Sequence, residues 1–184
     1  EPAALGRIRR LALPFELAFA LLAGLALALF VLILVMAYLP GRYVTFNAEG
    51  GWLTFDPSTA PPDGVVVQSL PLVTQLAGLM CGSLIYGALI FALWSLRGLF
   101  SCYRKGEVFG THPIRLMRRA GVLLVLFAAM PGLLQPALRA LGSPDRNWFH
   151  SETLPILLTG AGLLVFANII ALGTELQREN QEFV

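Results

Sequence analysis

The sequence predicts an all-α membrane protein: a four-transmembrane-helix bundle with a small β-hairpin-like element in its first outer loop. Three observations carry that prediction. The chain is 57% hydrophobic and only 13% charged, whereas a soluble globular protein carries roughly 25% charged residues. A chain of 184 residues must cover much of its exterior with polar groups if that exterior meets water, so this one reads as facing hydrocarbon. Finally, four apolar runs reach the roughly 20 residues that a helix needs to cross a bilayer, within one integral membrane domain over residues 1–184.

The runs cover about 17–39, 70–96, 121–141 and 153–173. Backbone groups in lipid must be paired within their own segment, which makes helix the economical state for each. The first run follows Arg7, Arg9 and Arg10 and ends at Pro40-Gly41. It far exceeds the roughly 7–15 apolar residues of a signal peptide, so it is expected to stay in the membrane. The second run, from Leu70 to Leu96, contains no charged residue. The third contains Pro131 and Gln135-Pro136, with Arg139 near its end. A kink near Met130 is expected there, with Arg139 snorkelling to the headgroups. The fourth begins near Thr153 and ends near Gly173.

Between the first two spans, residues 41–69 hold Tyr43-Val-Thr-Phe46 and Trp52-Leu-Thr-Phe55, separated by Asn47-Ala-Glu-Gly-Gly51. That is a hairpin pattern with Gly50 and Gly51 available for positive φ. Val65-Val-Val67 can add a third strand after the breakers Pro57, Pro61, Pro62 and Gly64. The connection Gly142–Glu152 is short and polar, and its Trp148 and Phe149 suit a membrane interface.

Charge sets the expected orientation. The segment 97–119 holds Arg97, Arg104, Lys105, Arg115, Arg118 and Arg119 against the single acid Glu107. Residues 41–69 carry only Arg42 against Glu49, Asp56 and Asp63. The positive-inside rule places the 97–119 loop and both termini in the cytoplasm.

Asp, Glu, Lys and His are absent from the middle of all four spans. Pumps and proton-coupled carriers ordinarily keep such a group there, so these classes are disfavoured. Gln75, Gln135 and Asn168 are the candidate intramembrane polar contacts, with Thr74, Cys81, Ser83 and Thr159 also in the spans. Ala20, Gly24 and Ala28 on the first span, and Gly78 and Gly82 on the second, stand four residues apart. That spacing suits close helix packing, within the bundle or against another membrane chain. Gly160 and Gly162 can serve likewise on the fourth span. His112 and His150 fall on opposite sides of the membrane in this topology, and neither neighbours an activated nucleophile. Cys81 reads as a span residue and Cys102 as a loop residue, each structural, and Glu16 as interfacial. No enzyme, cofactor or metal is expected.

The basic segment makes Arg104, Lys105, Arg115, Arg118 and Arg119 candidates for contact with a partner or with lipid headgroups; direct nucleic-acid binding is not expected. Thr111 is a candidate N-cap before a helix that tolerates Pro113 in its first turn. Gly106 can break a helix extending from the second span, and Phe109 can pack back under the bundle. Glu107, with Glu175 and Glu179, is available for a salt-bridge collar around the basic residues.

Two segments carry a resemblance. Arg97-Gly-Leu-Phe-Ser-Cys-Tyr-Arg-Lys-Gly-Glu-Val-Phe109, followed by Pro113-Ile-Arg-Leu-Met-Arg-Arg119, resembles the central loop of an uncharacterised bacterial membrane family, domain of unknown function 2975. Glu175-Leu-Gln-Arg-Glu-Asn-Gln-Glu-Phe-Val184 is similar to that family's acidic helical ending. The resemblance covers about Leu70 to Val184, the first span only generically, and residues 41–69 not at all. It implies a four-span protein of the bacterial inner membrane with no established activity. By association it also implies a cytoplasmic helix-turn-helix regulator as partner. Three roles follow: an interaction protein presenting its basic loop and C-terminal tail, an accessory subunit of a larger membrane complex, or a small permease or lipid-binding protein.

Overall fold

The computed structural model describes residues 2–47, 50–107, 110–140 and 153–182. Its four helices are α1 (Pro2–Tyr38), α2 (Leu72–Lys105), α3 (Thr111–Ala140) and α4 (Thr153–Glu182). All four contain stretches long and apolar enough to cross a membrane. At about 1.5 Å rise per residue, the 37 residues of α1 extend ~55 Å, well beyond a hydrocarbon core of about 30 Å. The helices therefore continue past the apolar runs read from the sequence.

The largest departure from the sequence reading is the basic segment. Residues 97–119 are not a loop, because α2 runs on to Lys105 and α3 starts at Thr111. Leu, Arg and Lys are strong helix formers, and nothing before Gly106 breaks the pattern. Gly106 then adopts the left-handed conformation, φ 88°, and its N–H reaches the carbonyls of Cys102 and Tyr103. This is the glycine C-cap that satisfies a helix's last carbonyls. Thr111 lies inside α3 as its first residue, with Pro113 buried in the first turn. α3 continues as one helix through Pro131 and Pro136.

The hairpin forms with a third strand. β1 (Val44–Asn47) pairs antiparallel with β2 (Gly50–Leu53) on one side and β3 (Val65–Val66) on the other. Gly50 and Gly51 pair with Asn47 and Phe46 inside the ladder. They do not take the positive φ expected for turn residues; among the described residues only Gly41 and Gly106 do. Arg42 anchors the sheet by donating to the carbonyl of Gly64 at 2.7 Å. Ser58 N–H donates to Asp56 Oδ1 at 3.0 Å and holds that carboxyl below its usual pKa. A depressed carboxyl stabilises the turn above its unfolded pKa, and that contribution is lost as pH falls through the folded value.

Each helix packs on its chain neighbours: α1 on α2, α2 on α3 and α3 on α4. Phe15 and Phe19 stack on Phe100 at 5.1 and 5.5 Å, and Phe30 stacks on Tyr86 at 5.2 Å. The buried cluster Leu99, Met117 and Ala167 joins α2, α3 and α4 at the end where the basic residues gather. Cys102 is buried on α2 and is not a loop residue. Elsewhere the helices present apolar side chains outward. The most apolar windows of α1 and α2 are each only 6% buried, and that of α3 is 22% buried.

Of the small residues singled out for close helix approach, Gly160 makes one and the glycines of the first two spans do not. A Cβ on Gly24, Gly78 or Gly82 would meet nothing within 4 Å, so these positions do not pack helices together inside the chain. Ala20 is half-buried and Ala28 exposed on α1. The tight crossing lies between α3 and α4. A Cβ on Gly121 would stand 2.9 Å from the carbonyl oxygen of Gly160, and one on Gly160 would stand 2.9 Å from that of Gly121. Backbone cannot yield as a flexible side chain does. Gly121→Ala or Gly160→Ala should therefore destabilise the protein by about 1–3 kcal/mol, read as a lower thermal midpoint in mild detergent. Gly78→Ala and Gly82→Ala should leave that midpoint unchanged or raised, since alanine is the better helix former.

Candidate functional site

The basic end is assembled from the last two turns of α2, the first turns of α3, and the parts of α1 and α4 beside them. Helical spacing and the crossings given above sort its cations into two groups.

The first group is engaged across helix seams. Arg104 Nε lies 3.1 Å from Glu16 Oε2, with the two side chains 42% and 13% exposed. This is the one ion pair among the described residues. Glu16 thus takes the role that the sequence reading assigned to Glu107, Glu175 and Glu179. Glu107 and Glu175 are exposed, and the side chain of Glu179 lies outside the described residues. Arg118 donates to Asn168 Oδ1 at 2.8 Å, which ties α3 to α4 on the basic side of the Gly121–Gly160 crossing.

The second group has no carboxylate partner among the described residues: Arg97, Lys105, Arg115 and Arg119. Lys105, Arg115 and Arg119 are exposed and Arg97 half-buried. The guanidinium of Arg97 lies 4.5 Å from the centre of the Trp94 ring. That of Arg119 lies 5.9 Å from the centre of the Phe91 ring, across the α2–α3 seam. Both fall within the roughly 6 Å over which a cation is drawn to a ring face. His112 is exposed in the first turn of α3.

The polar residues of the spans do not converge on a site. Gln75 Nε2 donates to the carbonyls of Leu70 (2.9 Å) and Gln68 (3.3 Å), and Gln68 in turn donates to the carbonyls of Leu39 and Ala37. Gln68 thereby pairs carbonyls at the end of α1, and Gln75 ties α2 to the segment that precedes it, so Gln75 serves the sheet end and not an intramembrane contact. Asn168 sits in the basic half of α4, far along the fold from Gln75, and the side chain of Gln135 lies outside the described residues. Ser83, Ser95 and Thr159 each return their hydroxyl to the carbonyl four residues earlier, at 2.7 Å. Hydroxyls satisfied within their own helix need no partner in lipid. Among the described residues no three His, Cys, Asp or Glu side chains gather as metal ligands would. The 142–152 connection, with Trp148, Phe149 and His150, lies outside the described residues, as does Phe109.

Comparison with known protein families, curated proteins and solved structures finds no match to the chain. The site is therefore read from its own chemistry. It offers guanidinium and ammonium groups on a rigid base, an arrangement that binds anions.

The Glu16–Arg104 pair invites a charge-swap test. Glu16→Gln or Arg104→Gln should each lower stability by about 1 kcal/mol or less, because one partner is well solvated. The exchange Glu16→Arg with Arg104→Glu should recover most of the loss, and a double-mutant cycle on thermal unfolding in detergent measures it.

Proposed function

We propose that the chain is a non-enzymatic, multi-pass protein of the bacterial inner membrane whose basic end docks a cytoplasmic partner. One observation carries this reading. Lys105 and Arg115, which have no carboxylate partner among the described residues, stand on helices held by the Leu99–Met117–Ala167 core. A fixed array of charge is suited to recognising an acidic surface, because its geometry is set before binding.

Orientation rests on the positive-inside rule, which puts the ends of α2 and α3 bearing Arg97 to Arg119 in the cytoplasm and the sheet outside. The resemblance of 97–119 and 175–184 to domain of unknown function 2975 belongs to the same reading. So does a helix-turn-helix regulator as the partner. Both rest on the segments quoted above.

The second reading, an accessory subunit of a larger membrane complex, is favoured by the open small-residue positions. Gly24, Gly78 and Gly82 leave space within 4 Å of a Cβ unfilled by this chain, and such faces let another helix approach closely. A discrete monomer or homo-oligomer extracted from native membranes in mild detergent would count against it.

Two measurements test the leading reading. In a Cys81→Ala, Cys102→Ala background, Thr59→Cys should be labelled by an impermeant thiol reagent added to intact cells, and Lys105→Cys only after lysis; the reverse pattern would invert the topology. Co-purification of a soluble protein from native membranes should fall at least about tenfold in Lys105→Glu, Arg115→Glu, as expected when charge pairs at an interface turn repulsive. Equal recovery would remove the partner reading.

A further inference from the structure

The two arginines near exposed rings mark a second, smaller site. Phe91 and Trp94 are both exposed on α2, one turn apart, at the end of an outward apolar stripe that includes Val73, Leu76, Met80 and Leu84. Residues along a helix turn by about 100° each, which keeps these positions within one face. At its basic end the stripe meets Arg97 from α2 and Arg119 from α3. Arg115 stands one turn from Arg119 on the same helix face. The contact of Gly98 with Leu116 crosses the seam beside them, placing Arg97 and Arg115 each one residue from it. In an antiparallel pair that offset turns both to the same side. The buried cluster of Leu99, Met117 and Ala167 occupies the other side.

A long apolar strip thus ends in three guanidinium groups with no carboxylate among the described residues to neutralise them. Attraction to the rings of Trp94 and Phe91 holds Arg97 and Arg119 here without using their N–H donors. Those donors are the part of a guanidinium that grips a phosphate.

We propose that this seam between α2 and α3 binds an anionic diacyl phospholipid, its phosphate between Arg97, Arg115 and Arg119 and its acyl chains along Phe91 and Leu84. Those two residues are the part of the stripe that lies within one leaflet of the arginines. The occupant is set by both halves of the surface. A soluble phosphate would leave the apolar strip uncovered, and a zwitterionic lipid would leave the cations uncompensated. The neighbouring Arg104 and Arg118 are spent on Glu16 and Asn168 and take no part. The inference rests on the membrane embedding of the proposed function but not on its cytoplasmic partner.

Trp94 reports the site directly. With Trp52→Phe and Trp148→Phe, it is the sole tryptophan of the three in the chain. The protein is reconstituted in phosphatidylcholine containing increasing phosphatidylglycerol, with one or the other lipid brominated on its acyl chains. Quenching of Trp94 then gives the relative association constant of the two lipids at the seam. The constant should favour phosphatidylglycerol by about fivefold or more, the contribution of one basic residue near a charged headgroup. Arg97→Gln, Arg119→Gln should bring it close to one, and Arg118→Gln should leave it unchanged. Should the double variant fold poorly, raising the salt on the parent protein should reduce the preference, because its charges are solvent-exposed. A constant of one in the parent protein overturns the proposal, as does a preference that survives both the double variant and high salt. Loss of the preference on adding millimolar glycerol phosphate would mark a site for free phosphate instead. A double variant that keeps its lipid preference but loses a co-purifying protein would assign the seam to that protein. Failure of the Lys105 labelling test, by contrast, would bear on orientation and leave this lipid preference standing.

Discussion

The exposed leucines of α1 set the terms for everything else in this molecule. From Leu11 to Leu39 the helix turns apolar side chains outward on nearly every side not touching α2. Water would charge roughly 25 cal/mol for each Å² of such surface, a cost that the shallow packing between helices does nothing to offset. In hydrocarbon the same surface is at home. Backbone groups are closed within the helices, and the serine and threonine hydroxyls of the spans are returned to the preceding turn. What is left over, at both ends, is the polar material through which the chain can meet anything but lipid.

The two ends solve different problems. Beside the sheet, short polar links tie loop to helix: Gln68 and Gln75 occupy carbonyls at the end of α1 and just before α2, and Arg42 holds the strand against Gly64. That end is stitched. The other end is packed, with three helices meeting in the Leu99 cluster and cations arranged around it. Cations crowded at one place repel each other, and the structure separates them by use. Arg104 and Arg118 are neutralised or hydrogen-bonded across seams, while Arg97 and Arg119 lie near the faces of Trp94 and Phe91.

The spans and the hairpin were legible in the sequence because each rests on a strong local pattern. Unbroken apolar runs leave few alternatives to helix, and two aromatic and β-branched runs flanking Asn47–Gly51 favour antiparallel pairing. Gly50 and Gly51 nonetheless proved to be ladder and not turn residues. Charge misled where it was read as a sign of loop. Arginine and lysine are good helix formers, so residues 97–105 simply continue α2 until Gly106 ends it. Partner choice was not legible either. Glu16 and Asn168 lie far along the chain from Arg104 and Arg118, and only the crossing of helices brings them together. The small-residue spacing of Gly78 and Gly82 was a pattern without a neighbour. Gly160 was legible as a packing position on the fourth span, but its partner Gly121 was not, because their meeting depends on the way α3 and α4 cross.

That last contact has a bearing on how such a chain is made. α3 has the least apolar candidate span of the four, carries two internal prolines, and yet is the most enclosed. Synthesis delivers it before α4, at a time when the groove over Gly121 has nothing to fill it. The close contact with Gly160 can form only once α4 has been made. The last two helices are accordingly a hairpin in assembly as well as in topology, because the face of α3 around Gly121 is covered only by α4.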